Sequence, residues 1–203
     1  MAKKESNFDL HDYDCDLKHR VVSLGSQHVT AGGTESGVDA TLADRAVKNI
    51  LLLDKLKPEG DAPINYLLSN PGGDEFYMAA IYDAIKYSKS PSIITVHGLA
   101  MSAGSVILQA GQKRVMMPSA WVMIHYGTWG THAHPKISYN WSDAGKKMDK
   151  WMENIYLERI REKNPNFKLK DLQKMLDFDT ILNAQDTVAL GLADCVFTED
   201  EHG

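Results

Sequence analysis

Two periodicities alternate along this chain. Short runs in which apolar and β-branched side chains dominate, at 20–24, 64–68, 92–97, 114–117 and 121–124, read as strands. Between them the spacing turns helical. Leu42, Ala46, Ile50 and Leu53 share one face of a helix predicted over 38–56, and Met78, Ile81, Tyr82 and Ile85 one face of a helix over 74–87. Pro58-Glu59-Gly60 stops the first of these helices, and the glycine-rich stretch 31–37 reads as a loop. Strands alternating with helices predict an α/β fold with right-handed crossovers and a largely parallel sheet.

The longest helical pattern runs from 138 to 163, where Trp141, Ala144, Met148, Trp151, Ile155 and Ile160 recur at three- to five-residue steps. Its large apolar side chains, set among lysines and glutamates, suit either the core or burial against another subunit. After Pro165 a short helix over 169–176 leads into an acidic turn, Asp177-Phe178-Asp179. A last helix then begins at Asn183, with Asp186 three residues on, and stops at Gly191.

Composition narrows the class. A chain of 203 residues, 43% hydrophobic and 24% charged, suits one compact domain over 1–203. With a net charge of −5 and only isolated lysine pairs (Lys3-Lys4, Lys146-Lys147), there is no basic stripe to neutralise phosphates, which argues against a nucleic-acid binder. No apolar run has membrane-spanning length, the N-terminus lacks a signal-like core, and Cys15 and Cys195 form no framework. A cytoplasmic, reducing location is the expectation. His132-Ala133-His134 stands beside Pro135 without a cysteine or carboxylate partner, so no metal is predicted. There is no Walker-type glycine loop, and no cofactor is expected.

Candidate chemistry begins where the run at 92–97 meets Gly98 and then Leu99-Ala100-Met101-Ser102-Ala103-Gly104. A strand, a tight turn and a helix that begins at Ser102 would hold a hydroxyl where unpaired amides favour negative charge. The simpler reading is a serine N-cap, and Ala100 replaces the glycine expected two residues before a hydrolase-elbow serine. A serine needs an imidazole to take its proton, and the imidazole needs a carboxylate to orient it. His125, at a strand end, and Asp179, before the last helix, fill those roles; Ser105 and Asp177 are the rivals of Ser102 and Asp179. Ser105 would face away within the first helical turn, which favours Ser102. The Gly72-Gly73 pair allows close backbone approach, so the amides of Gly73 and Ala103 are candidates for a two-donor oxyanion hole.

In this order, Asn70-Pro71-Gly72-Gly73, Gly98-Leu99-Ala100-Met101-Ser102-Ala103-Gly104, Val122-Met123-Ile124-His125, Asp179-Thr180-Ile181-Leu182-Asn183-Ala184 and Gly191-Leu192-Ala193-Asp194 resemble the proteolytic subunits of the Clp protease family. The resemblance runs from about residue 8 to 197. It implies a crotonase-like α/β fold of repeated β-β-α units, with a head over about 8–130 and 165–197 and a protruding handle helix within about 131–164. It further implies Ser102 as nucleophile, His125 as general base and acid, Asp179 as its orienting carboxylate, and the Gly73 and Ala103 amides as oxyanion donors. Tyr126-Gly127-Thr128-Trp129-Gly130 matches the segment that lines the substrate groove. The implied assembly is a homo-oligomer of two stacked heptameric rings that degrades unfolded polypeptides delivered by a separate ATP-hydrolysing AAA+ unfoldase. Ala103 stands where the family usually has methionine, the stretch before residue 8 looks short for the family's axial loop, and the 31–37 loop has no evident counterpart. Other readings are a dedicated phage capsid-maturation protease, an acyl-CoA enzyme of the crotonase fold, and a silent ring subunit. An intact Ser102–His125 pair speaks against the last two.

Overall fold

The computed structural model describes residues 9–25, 37–56, 62–128 and 134–199. The Lys3-Lys4 pair, most of the glycine-rich loop, the breaker at 58–60, Trp129-Gly130 and His132-Ala133 lie outside the described residues. In chain order the elements are α1 (Asp9–Tyr13), β1 (Cys15–Asp16), β2 (Val21–Gly25), α2 (Ala40–Lys55), β3 (Ile64–Asn70), α3 (Glu75–Lys86), β4 (Ser92–Met101) and α4 (Ala103–Leu108). They continue with β5 (Lys113–Met116), β6 (Trp121–Ile124), α5 (Pro135–Lys163), α6 (Leu169–Leu176), β7 (Thr180–Asn183), α7 (Ala184–Leu190) and β8 (Cys195–Val196).

The strands form one sheet in the order β1-β2-β3-β4-β5-β8. Every pairing along β2, β3, β4, β5 and β8 is parallel; β1 joins antiparallel at the edge. β4 is the longest strand and organises the rest. β3 follows one of its edges, while β5 pairs with its first half and β6 with its last three residues. Alternate residues of β3 (Ile64, Tyr66, Leu68, Asn70) are fully buried. The predicted helical faces, Leu42, Ala46, Ile50 and Leu53 of α2 and Met78, Ile81, Tyr82 and Ile85 of α3, lie in the same core. Each such aliphatic side chain contributes roughly 1.5–3 kcal/mol by leaving water.

Gly98 does not end its strand as the sequence suggested. It sits at φ +80° in a bulge, where the register jumps from Leu68↔Val96 to Asn70↔Ala100. The extra residues loop out at His97 and Gly98, and pairing resumes through Met101. That continuation carries the chain to Ser102 with β6 already alongside.

α5 divides in two. Its C-terminal half buries Met152, Ile155, Tyr156, Leu157 and Ile160 in the core, and Trp151 packs edge-on against Tyr82 at 5.2 Å. Its N-terminal half leaves Ile137, Tyr139 and Trp141 exposed. The buried Arg114 of β5 holds the end of the fold together. It donates to Asp194, to Gln109 Oε1 (3.0 Å) and to the Gly191 carbonyl (3.2 Å), which keeps β8 beside β5.

Candidate active site

Strand register brings the three polar residues together. Met101 pairs with Met123, and the Ser102 amide donates to the Met123 carbonyl at 2.9 Å, so Ser102 and His125 leave β4 and β6 at the same end. β7 runs antiparallel to β6 with Thr180 opposite Ile124, which places Asp179 beside His125. The site lies at the carboxyl ends of the parallel strands, where open α/β sheets bind ligands. His125 Nε2 is 2.8 Å from Ser102 Oγ, and His125 Nδ1 is 2.9 Å from Asp179 Oδ1. With Nδ1–H donated to Asp179, Nε2 offers its lone pair to the serine hydroxyl.

Ser102 precedes α4, but its side chain makes no capping bond. Its backbone sits at φ +51°, ψ −121°, a region that residues with a Cβ rarely occupy. The turn aims Oγ at His125 rather than at the amides of α4. Ser105 is elsewhere: fully buried, it donates from Oγ to the Ser102 carbonyl at 2.6 Å and lies 2.6 Å from the Tyr156 hydroxyl. The His125 ring bonds Asp179 and not Asp177, which ends α6.

The glycine pair lies across from Ser102. Val38 donates to the Gly72 carbonyl at 2.6 Å and accepts from the Asp74 amide at 2.8 Å, so backbone alternation turns the Gly73 amide to the other side. A Cβ on Gly73, at φ +147°, would lie 2.4 Å from the Val38 carbonyl oxygen, so only glycine fits there. Asn70, wholly buried, accepts from the Gly72 amide at 2.9 Å and fixes the turn from below. Among the described residues, the amides of Gly73 and Ala103 have no acceptor.

These residues open onto a cleft of about 440 Å³ lined by Pro71, Gly73, Asp74, Glu75, Ser102, Met123 and His125, with Gly127 and Thr128 beyond. Tyr126 anchors the segment after His125. Its amide donates to Leu176 at 2.8 Å and its hydroxyl to Glu153, which also accepts from Gln173 at 2.9 Å. Burial and the Glu153 carboxylate push the Tyr126 hydroxyl well above its ordinary pKa. Glu75 and this Tyr126–Glu153–Gln173 network escaped the sequence reading. Glu75 looks like an ordinary exposed residue in a first helical turn, and its only signal is its place two residues after Gly73. Among the described residues no group of histidines, cysteines and carboxylates is arranged to hold a metal, and no helix is long and apolar enough to cross a membrane.

Comparison with known proteins agrees on one family. A family model described as Clp protease matches residues 22–200. The ATP-dependent Clp protease proteolytic subunit of Deinococcus radiodurans is 28% identical over 201 residues, covering 98% of this chain and 89% of that protein. Proteolytic subunit 2 of Leifsonia xyli is 30% identical (90% and 76% covered), and proteolytic subunit 3 of Nocardia farcinica is 31% identical (96% and 80% covered).

Proposed function

Because this chain belongs to the Clp protease family and is a serine-type peptidase, we propose that Ser102, His125 and Asp179 are its catalytic triad in a self-compartmentalised endopeptidase. The observation that carries the proposal is the continuous Asp179–His125–Ser102 hydrogen-bond chain at the cleft. Ser102 Oγ attacks the scissile carbonyl carbon as its proton passes to His125 Nε2. The carbonyl oxygen, now anionic, is held by the Gly73 and Ala103 amides; one such donor is worth roughly a hundred- to a thousandfold in turnover. Collapse breaks the C–N bond, His125 protonates the leaving amine, and an acyl-enzyme remains. Water, deprotonated by His125, then hydrolyses the ester and restores Ser102.

Two apolar surfaces support assembly into rings. One is the N-terminal half of α5, with Tyr139 70% and Trp141 46% exposed. The other surrounds the triad carboxylate, where Phe178 is 78% and Ile181 60% exposed. Patches of this kind mark subunit contacts. The Asp179 side chain is itself 66% exposed, so a neighbour seated on Phe178 and Ile181 would dry its bond to His125 and strengthen it. The relatives are named as ATP-dependent. This chain would accordingly take unfolded polypeptide from a separate ATPase ring, in the cytoplasm. The test is hydrolysis of short fluorogenic peptides and of unfolded casein by the purified protein, with particle mass measured on the same sample. Peptide hydrolysis confined to a ring-sized species is expected. A fully active monomer would contradict the compartment, and undiminished hydrolysis by Ser102→Ala would contradict the triad.

A further inference from the structure

The cleft has one charged wall that peptide hydrolysis as described leaves unused. Glu75, the first residue of α3, lines it together with Ser102, His125, Gly127 and Thr128. Its backbone is fixed from both sides. Asp74 caps α3 by accepting from the Phe76 and Tyr77 amides at 2.8 and 3.2 Å, and Phe76 packs edge-on against Trp141 of α5 at 6.1 Å. The carboxylate lies over Gly127: a Cβ there would fall 2.3 Å from Glu75 Oε1. A side chain at 127 would therefore displace it.

Among the described residues, the Glu75 carboxylate has no cationic partner and accepts no hydrogen bond. The charges that bear on it are Asp74, the N-cap of its helix and a second acidic residue lining the cleft, and Asp149 on α5, and His125 shares the cleft. Burial and these two carboxylates raise its pKa to about 7. A half-buried acid among acids, at the edge of a reacting centre, gains most from an incoming cation, which supplies both the missing charge and the missing donors.

The direction of the substrate follows from the amides. With the scissile carbonyl oxygen on Gly73 and Ala103, the side chain of the residue that forms the acyl-enzyme branches one bond from that carbonyl. His125 must reach the leaving nitrogen on the other side. Glu75 follows Gly73 by two residues and lines the same cleft, so a side chain branching beside the carbonyl held by Gly73 would come within its reach. We propose that Glu75 selects a lysine or arginine on the acyl side of the scissile bond. This rests on the reading of Ser102 as nucleophile. The aliphatic stem of such a side chain would pack against Pro71 and Met123 while its cationic end reaches the carboxylate. An acidic side chain there would be repelled, so the same residue both attracts and excludes.

The experiment uses the full-length protein and three fluorogenic peptides that differ only at the acyl-side residue: lysine, norleucine (the lysine stem without its ammonium) or glutamate. In the native protein at pH 8, kcat/KM for lysine should exceed that for norleucine by about tenfold, the scale of one charge-assisted bond. The ratio should fall toward one in Glu75→Gln and stay well above one in Glu75→Asp. In the native protein it should also rise from pH 6 to pH 8, as the carboxyl ionises, and remain flat in Glu75→Gln. A native ratio at or below one overturns the proposal, as does an equal ratio in native protein and Glu75→Gln. Labelling by a fluorophosphonate on the same samples separates the two readings. A labelled Ser102 without basic preference removes the specificity and leaves the nucleophile, whereas an unlabelled, inactive protein removes both.

Discussion

Replacing Ser102 by glycine should leave a more stable protein than replacing it by alanine, against the usual order of the two residues. Ser102 is held at φ +51°, ψ −121°, where a side chain with a Cβ costs about 1–3 kcal/mol and glycine costs almost nothing. Both substitutions delete the bond from Oγ to His125, and neither removes a helix cap, because Ser102 makes none. Those terms cancel in the comparison. What remains is relief of strain, set against the roughly 0.5–1 kcal/mol that glycine loses through the greater freedom of its unfolded chain. The balance favours glycine by about 1 kcal/mol, or about 2–4 °C in Tm for a chain of this size. Both variants are inactive on the proposed mechanism, so self-cleavage cannot bias the result. Denaturant titration of the two proteins at equal concentration measures the difference. An alanine variant as stable as the glycine variant, or more so, would refute a strained turn at Ser102.

Asp179→Asn should lower kcat by at least about a hundredfold, because it disturbs the ring orientation that the proton transfer needs, while Asp177→Asn should stay within about twofold; equal losses in steady-state assays would contradict the geometry. Glu75 links pH to stability. Its folded pKa is raised from 4.5 to about 7, so between those values the native state binds more protons than the unfolded chain, and stability falls as pH rises from about 4.5 to about 7. Glu75→Gln should flatten that decline when denaturation midpoints are compared at pH 5 and pH 8; matching slopes in the two proteins would refute it. Tyr139→Glu with Trp141→Glu should shrink the particle in sedimentation while leaving the protomer folded, because both side chains are exposed. An unchanged particle would refute an assembly role for the start of α5.

Most of the sheet was legible because its strands are buried on alternate or both faces, as in β3, and because glycines and prolines punctuate them. β7 was not. Thr180, Ile181, Leu182 and Asn183 have no fully buried member, and the strand exists through its backbone pairing with β6. Single-chain periodicity carries no trace of such an edge. β1, with two residues, is likewise set by its pairing with β2. Gly98 reads as a terminator in sequence because a bulge and a turn ask for the same residue at a positive φ. In sequence the helix containing Trp151 suits core and interface alike, and the reason is visible in α5. Trp151 packs edge-on against Tyr82 inside the protomer, whereas Trp141, less than three turns earlier on the same stripe, is exposed apart from Phe76. Amphipathic spacing cannot tell a partner within the chain from one outside it. Candidate site residues were legible as types at element ends; what the residues alone left open was the choice of Asp179 over Asp177, which the resemblance made and to which the β6–β7 register adds the contact with His125, while Ser105 is taken up by its buried bond to Tyr156.

On the proposed mechanism one hydroxyl, that of Ser102, is activated. The most direct measurement is the site of covalent capture. The native protein is treated with a fluorophosphonate, digested, and the adduct mapped by mass spectrometry. A single adduct is expected on Ser102, formed in step with loss of peptide hydrolysis, absent in Ser102→Ala and strongly slowed by replacement of His125. An adduct on Ser105, or full peptide hydrolysis by a Ser102→Ala protein that cannot be labelled, would contradict it.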